Sequence, residues 1–286
     1  MTEMPESAMA ALSEDDSLPG AGFPEEERWL AVGLRAKVDG AVAHFTLERP
    51  ASRNSQTPGT WYALAEAAAA LPDDVRVVIV RGHGGHFSAG LDKGALEGKV
   101  LDGETESTLD LMKLTDAQMS DKIGEYQQGF LWTRRPDIVT VAVVEGWAIG
   151  AGFQLALACD LRVCAEDAKF SMRESALGLV PDLTGTKPLV DLVGYGRALE
   201  ICATARTVEA AEARDLGIAN VVVPGDQVDG AVDDLVGALT SPMAGAVTGT
   251  KQILLAAHGN SLEEQVVLER EVQVGRFREL AALFGL

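Results

Sequence analysis

Two runs, VRVVIVRG (75–82) and DIVTVAVVEG (137–146), constrain this chain more than any other feature. Each is short, rich in β-branched residues and nearly unbroken by polar ones, so each reads as a strand buried on both faces. Both lead into small-residue turns. The first continues as HGGHFSAGLD to residue 92, the second as GWAIGAGFQLALACD to residue 160. A fold with such strands at its centre must cover both faces of their sheet.

The stretch LRAKVDGAVAHFTLERP (34–50) reads as a β-hairpin with Asp39-Gly40 in the turn. A helix follows Pro58, and DLRVCAEDAKFSM contains two more short strands. From Thr186 onward the pattern is helical, ending in a helix that starts near Ser261. Strands alternating with helices indicate an α/β core with a helical C-terminal part. Residues 93–135, polar, acidic and interrupted by Gly98, Gly103 and Gly124, form either a lid or pocket wall or a surface insertion of helices.

The chain has 286 residues with 47% hydrophobic composition, enough for one large domain or two small ones. Its formal net charge of −19 argues against non-specific nucleic-acid binding, because phosphates would be repelled over most of the surface. A small anionic ligand remains compatible if a few cations gather locally. No apolar run approaches the roughly 18–20 residues that span a bilayer, and no secretory pattern opens the chain. The expected location is the cytoplasm. Residues 1–27 carry eight Asp or Glu and no Lys or Arg, which reads as a solvated acidic tail over 1–28. Cys159, Cys164 and Cys202 lack metal-type spacing and read as free thiols, and His44, His83, His86 and His258 are scattered. No metal site is expected.

Each glycine-containing turn can present unpaired backbone N–H groups, and a helix starting near Ala151 aims its positive end the same way. Two such groups facing one oxygen would make an oxyanion hole. The alternatives are glycines that only permit close helix-on-strand packing, or a dinucleotide fingerprint. The fingerprint is partial, since Leu155 stands at its third glycine position. A GxSxG elbow and a GK[ST] loop are absent.

The segments HFSAGLD, EGWAIGAGFQLALACD, AKFSMRESALGLVPDLTGT and ATARTVEAAEARDLGIANVVVP follow the order and spacing of the enoyl-CoA hydratase/isomerase (crotonase) superfamily. LERPASRNSQT resembles that family's N-terminal segment, and the similarity runs from about Leu34 to Pro224. The resemblance implies a crotonase-type ββα spiral core (29–225) holding an acyl-CoA site and a C-terminal helical trimerisation region (226–286), hence a homotrimer or hexamer. It implies no cofactor beyond the coenzyme A of the substrate. By motif position the backbone N–H groups of Leu91 and Ala151 are the oxyanion donors.

The family's hydratases add water with two glutamates, which fall here at Gln154 and Glu174. An amide cannot usefully accept a proton, though it can orient a water or a carbonyl, so Gln154 is expected to position substrate. Asp182 stands where dienoyl-CoA and ring-epoxide isomerases of the family place an aspartate. Its competing role is to cap a helix beginning near Thr184. Glu174 with Asp182 and a neutral residue 154 fit the shift of a double bond in an enoyl- or dienoyl-CoA better than water addition. The alternatives are a hydratase using Glu174 and a water held by Gln154, or an acyl-CoA-binding protein with little chemistry. Arg53, Ala89 and Lys251 are expected at coenzyme A. Met112, Met119, Phe130 and Trp132 either line the acyl pocket or belong to the core.

Overall fold

The computed structural model describes residues 20–286. Residues 20–28 of the expected acidic tail are part of the fold. Residues 1–19 lie outside the described part, but Ala21–Gly22 (β1) already pairs with Val38 and Lys37, and the helix Glu26–Ala31 buries Trp29. A buried indole anchors this segment, and its Nε1 donates to Glu66 Oε2 at 2.9 Å.

Strands β2 (Leu34–Asp39) and β3 (Val42–Leu47) form the expected hairpin. Its closing pair is Asp39 with Val42, so the turn consists of Gly40 and Ala41, and Asp39 belongs to the strand. Only Gly40 needs positive φ (54°), as a two-residue turn with glycine first allows. From β3 the sheet continues in parallel through β4 (Val77–Gly82), β5 (Val139–Val144), β7 (Leu161–Ala165) and β10 (Val221–Val223). A second, three-stranded layer is made of β6 (Trp147–Ile149), β8 (Lys169–Ser171) and β9 (Val208–Glu209). The chain thus passes from a strand of the large sheet to one of the small layer, then into a helix, and repeats. This is the crotonase-type spiral of ββα turns.

The unbroken apolar character of β4 and β5 has a direct cause. Val78, Val80, Ala142 and Val144 face the main core with Phe45, Trp61, Leu64 and Phe153. Their neighbours Val77, Ile79, Val141 and Val143 face a second core closed by Val228 and Val232 of the helix Val228–Thr240. That helix is tied down at its C-terminus by the Arg76 guanidinium, which donates to the carbonyls of Leu239, Thr240 and Pro242. Strand β10 was not part of the expected helical C-terminal pattern. Three valines before Pro224 are too few for periodicity to separate strand from helix, and parallel pairing with β7 decides.

The segment 93–135 is packed. Glu104 accepts from Thr57 Oγ1 and, at 2.9 Å, from the Gly59 N–H at the start of the helix Pro58–Ala69. The helix Asp116–Leu131 lies against that same helix through Tyr126 and Phe130, whose rings pack at a tilt on Trp61. It therefore serves as a wall of the molecule's interior.

Candidate active site

The two glycine turns lie side by side. Ser88 bridges to Ala148, its N–H donating to Trp147 O at 2.8 Å and its carbonyl accepting from Ile149 N at 2.9 Å. Gly90 has φ 82°, and a Cβ there would stand 2.5 Å from Ile149 O and 3.4 Å from Ala151 N. Only glycine permits that approach, which sets the peptide carrying the Leu91 N–H next to the Ala151 N–H. Residues 90 and 92 bond to Gln56 through the Gly90 carbonyl and the Asp92 N–H, so the intervening Leu91 N–H points the other way. Ala151 is the first residue of the helix Ala151–Ala158, where N–H groups have no partner within the helix. Among the described residues neither N–H donates to a protein acceptor.

A buried polar network holds the first turn. Ser88 Oγ donates to Asn54 O at 2.7 Å and accepts from Gly90 N at 3.1 Å and Gln56 Nε2 at 3.0 Å. Asn54, at φ 55°, donates to the carbonyls of His83 and His86. Asp92 accepts from Ser55 Oγ and Gly94 N and pairs with Arg49 at 3.1 Å, and these partners hold its carboxyl below its ordinary pKa despite burial. Sequence reasoning missed Asn54, Gln56 and Ser88 as parts of the site. The available signal was the polar run Arg53-Asn54-Ser55-Gln56-Thr57 for the first two and the motif HFSAGLD for Ser88.

Glu174 opens a short 3-10 turn after β8 and is 9% exposed. Its carboxylate lies against the second turn, since a Cβ on Gly150 would fall 3.2 Å from Glu174 Oε1. Oε1 accepts from Gln154 Nε2 at 2.7 Å, while Oε2 is buried with no partner. Burial raises the Glu174 pKa and the nearby Asp182 charge adds to it, against the lowering hydrogen bonds from its own backbone and Gln154. Gln154 Oε1 accepts from Leu183 N at 2.8 Å and Gly185 N at 3.2 Å. The amide's partners in the structure are thus protein groups, Glu174 on one side and the Leu183 and Gly185 N–H groups on the other.

Asp182 sits at the rim, open to solvent on one side but crowded by protein on the others, and this desolvation raises its carboxyl pKa. The helix that follows starts at Thr186 and is capped by Gly185 without any side-chain bond, so the capping role for Asp182 does not hold. Its carbonyl accepts from Gln127 Nε2 at 2.6 Å, which joins the wall helix to this turn. On the Gln127 side a cavity of about 340 Å³ is lined by Asp116, Met119, Ser120, Ile123 and Gly124. A larger one, about 440 Å³, lies between Glu106, Asp110, Asp121 and Lys122 and contains none of the groups around Ala151.

Met119 therefore borders a cavity. Phe130 and Trp132 belong to the core and Met112 to the outer surface. Arg53 is exposed in left-handed geometry, and its carbonyl accepts from Ala89 N at 2.8 Å, so these two expected coenzyme A residues are neighbours. Lys251 is not with them. It is buried, with its ammonium donating to Thr133 O, Ile138 O and Asp160 Oδ2 at 2.8, 2.7 and 2.7 Å. All three donors are used, which corrects the expected phosphate contact. Cys159 and Cys164 are buried free thiols whose burial pushes their pKa up to about 12.

The sequence profile of enoyl-CoA hydratase/isomerase matches residues 37–282. The chain belongs to this family. Among enoyl-CoA hydratase/isomerase relatives, it is 32% identical to the peroxisomal Delta(3,5)-Delta(2,4)-dienoyl-CoA isomerase of Arabidopsis thaliana, over 81% of this chain and 83% of that one. It is 34% identical to the carnitinyl-CoA dehydratase of Salmonella enteritidis, over 82% and 85%. A family structure, a provisional enoyl-CoA hydratase of Thermobifida fusca YX in complex with acetoacetyl-CoA, superposes with TM-score 0.86 at 47% identity, covering 90% and 99% of the two chains.

Proposed function

We propose that the chain moves a double bond of an enoyl- or dienoyl-CoA by proton transfer. The observation that carries this reading is Glu174 Oε2, buried and unpartnered beside two unpaired backbone N–H groups, with an amide where a second carboxylate would be needed to hold water. The thioester oxygen takes hydrogen bonds from Leu91 and Ala151. Glu174 Oε2 removes a proton from the acyl chain, and the electron pair moves onto that oxygen as an enolate. A proton returned further along the chain, by Glu174 or Asp182, restores the thioester and leaves an isomer of equal mass. Donors aimed at the oxygen that gains charge contribute several kcal/mol. The raised pKa values of the two carboxyls suit groups that must both take and release a proton.

Arg53 and Ala89 contact coenzyme A in this reading, in keeping with the acetoacetyl-CoA and CoA complexes of the similar Thermobifida proteins. Assembly into a trimer or hexamer is supported by the helix Leu262–Leu283, 22 residues without one buried side chain, which displays Val266, Val267, Val274 and Phe277. That helix packs on the helix Ala244–Ala257 through Val272 against Gly249, and a helix left with so much uncovered apolar surface gains little from propensity alone. Water addition is the second reading, favoured by the dehydratase relative at 34% identity. Incubation with enoyl- and dienoyl-CoAs in D₂O separates them. Deuterium in a product of shifted unsaturation is expected. A product heavier by one water would overturn the isomerase, and tight binding with neither product would leave a binding protein.

A further inference from the structure

Gln154 is 1% exposed, and its amide links two parts of the site that come from different segments. The donors fix its orientation. The N–H groups of Leu183 and Gly185 can only donate, so the amide oxygen must face them, which leaves Nε2 toward Glu174 Oε1 at 2.7 Å. The side chain cannot swing aside, because Gly185 packs on it so closely that a Cβ there would lie 2.6 Å from Gln154 Cγ. Asp182 immediately precedes Leu183, so one amide ties the Glu174 carboxylate to the turn that carries the second carboxylate.

Anchoring Oε1 leaves Glu174 a single oxygen, Oε2, for proton exchange. A glutamate at 154 could still accept from Leu183 and Gly185, but it would set an oxygen where Nε2 now stands. Two carboxylate oxygens at that separation cannot both stay ionised and must share a proton. Resting on the isomerase reading above, we propose that Gln154 is a positioning residue that makes this a proton-shuttling rather than a water-adding site: it presents one oxygen of Glu174 to the acyl chain, holds Asp182 across from it, and denies the site a second carboxylate for water. The titratable groups facing Glu174 are Asp182, from the turn before the helix Thr186–Val193, and Cys202, from the helix Tyr195–Thr204, whose thiol pKa is raised by burial and then by the Glu174 charge.

The test uses Gln154→Glu and Gln154→Met, with Glu174→Gln as spectroscopic reference. Titration of the Glu174 carboxyl is read by infrared difference spectra of the free protein, which needs no turnover. Gln154→Met removes the hydrogen bond that favours the ionised form, so Glu174 should titrate at higher pH than in wild type. Gln154→Glu keeps both backbone contacts and should show two coupled steps, one above the wild-type value. In that variant the ascending limb of the kcat profile should move up in pH, KM should stay within about twofold, and hydrated product from an enoyl-CoA should rise at least about tenfold. An unmoved Glu174 titration in both variants would show that the amide merely packs, and an unchanged level of hydrated product would overturn its role in choosing the reaction. Shifted titrations in a protein whose wild type neither isomerises nor exchanges protons would sink the isomerase reading while sustaining the positioning role.

Discussion

A carboxylate taken out of water with one oxygen unpartnered resists ionisation, and Glu174 is in that state. Folding therefore takes up a proton between the ordinary carboxylate pKa and the raised one. The stability contributed by neutral Glu174 is full below the ordinary value and is lost as pH rises through the raised one. Activity runs the opposite way, since the base must be ionised. Glu174→Gln keeps the shape and never ionises. Melting curves at neutral pH should place it level with wild type or up to about 1 kcal/mol above, with proton transfer at least about a hundredfold slower. A Glu174→Gln protein that keeps wild-type turnover would contradict the assigned base. For the oxyanion donors, Ala151→Pro is the cleaner probe. Proline is well tolerated at the first position of a helix, so the substitution replaces the N–H by a ring Cδ while leaving the helix start in place. Its circular dichroism should match wild type while kcat falls about a hundredfold or more. Glu174, Asp182, Leu91 and Ala151, the groups proposed for the chemistry, could be singled out because they lie inside short motifs. The place of Lys251 was not legible, because its partner Asp160 is 91 residues away and nothing local marks a buried ammonium.

The elements were legible where a run was long enough to carry a period. The strands β4 and β5, the helix after Pro58 and the last helix, capped by Ser261, stand close to their expected places. Strand β10 and the two-residue β9 are shorter than any period, and only their partners in the sheets make them strands. The Lys251 contact belongs to this scale as well. Asp160 Oδ2 accepts from Thr140 N–H and Oγ1 at the start of β5 and from the ammonium on the helix Ala244–Ala257. Lys251→Ala leaves that carboxylate without its cation and two carbonyls without this donor, and should cost about 3 kcal/mol in denaturant unfolding. The KM for acyl-CoA should stay unchanged. A rise in KM without loss of stability would return Lys251 to the ligand.

At the scale of the whole molecule, the C-terminal helices leave Leu254, Leu262, Val274, Phe277 and Phe284 open to water. Light scattering on the purified protein should give a multiple of the 30.2 kDa chain mass, three or six. Phe277→Glu with Val274→Asp should lower it, whereas a wild-type monomer would rule out the assembly. The two backbone N–H groups proposed to hold the thioester have a consequence for how such a chain diverges. They are main-chain atoms drawn from two turns of the spiral, and no side-chain replacement other than proline deletes a main-chain N–H. In that reading, mutation can exchange the side chains around the thioester one at a time while the ligand is still held. Lineages on this scaffold can change reaction without passing through an ancestor that has lost its substrate.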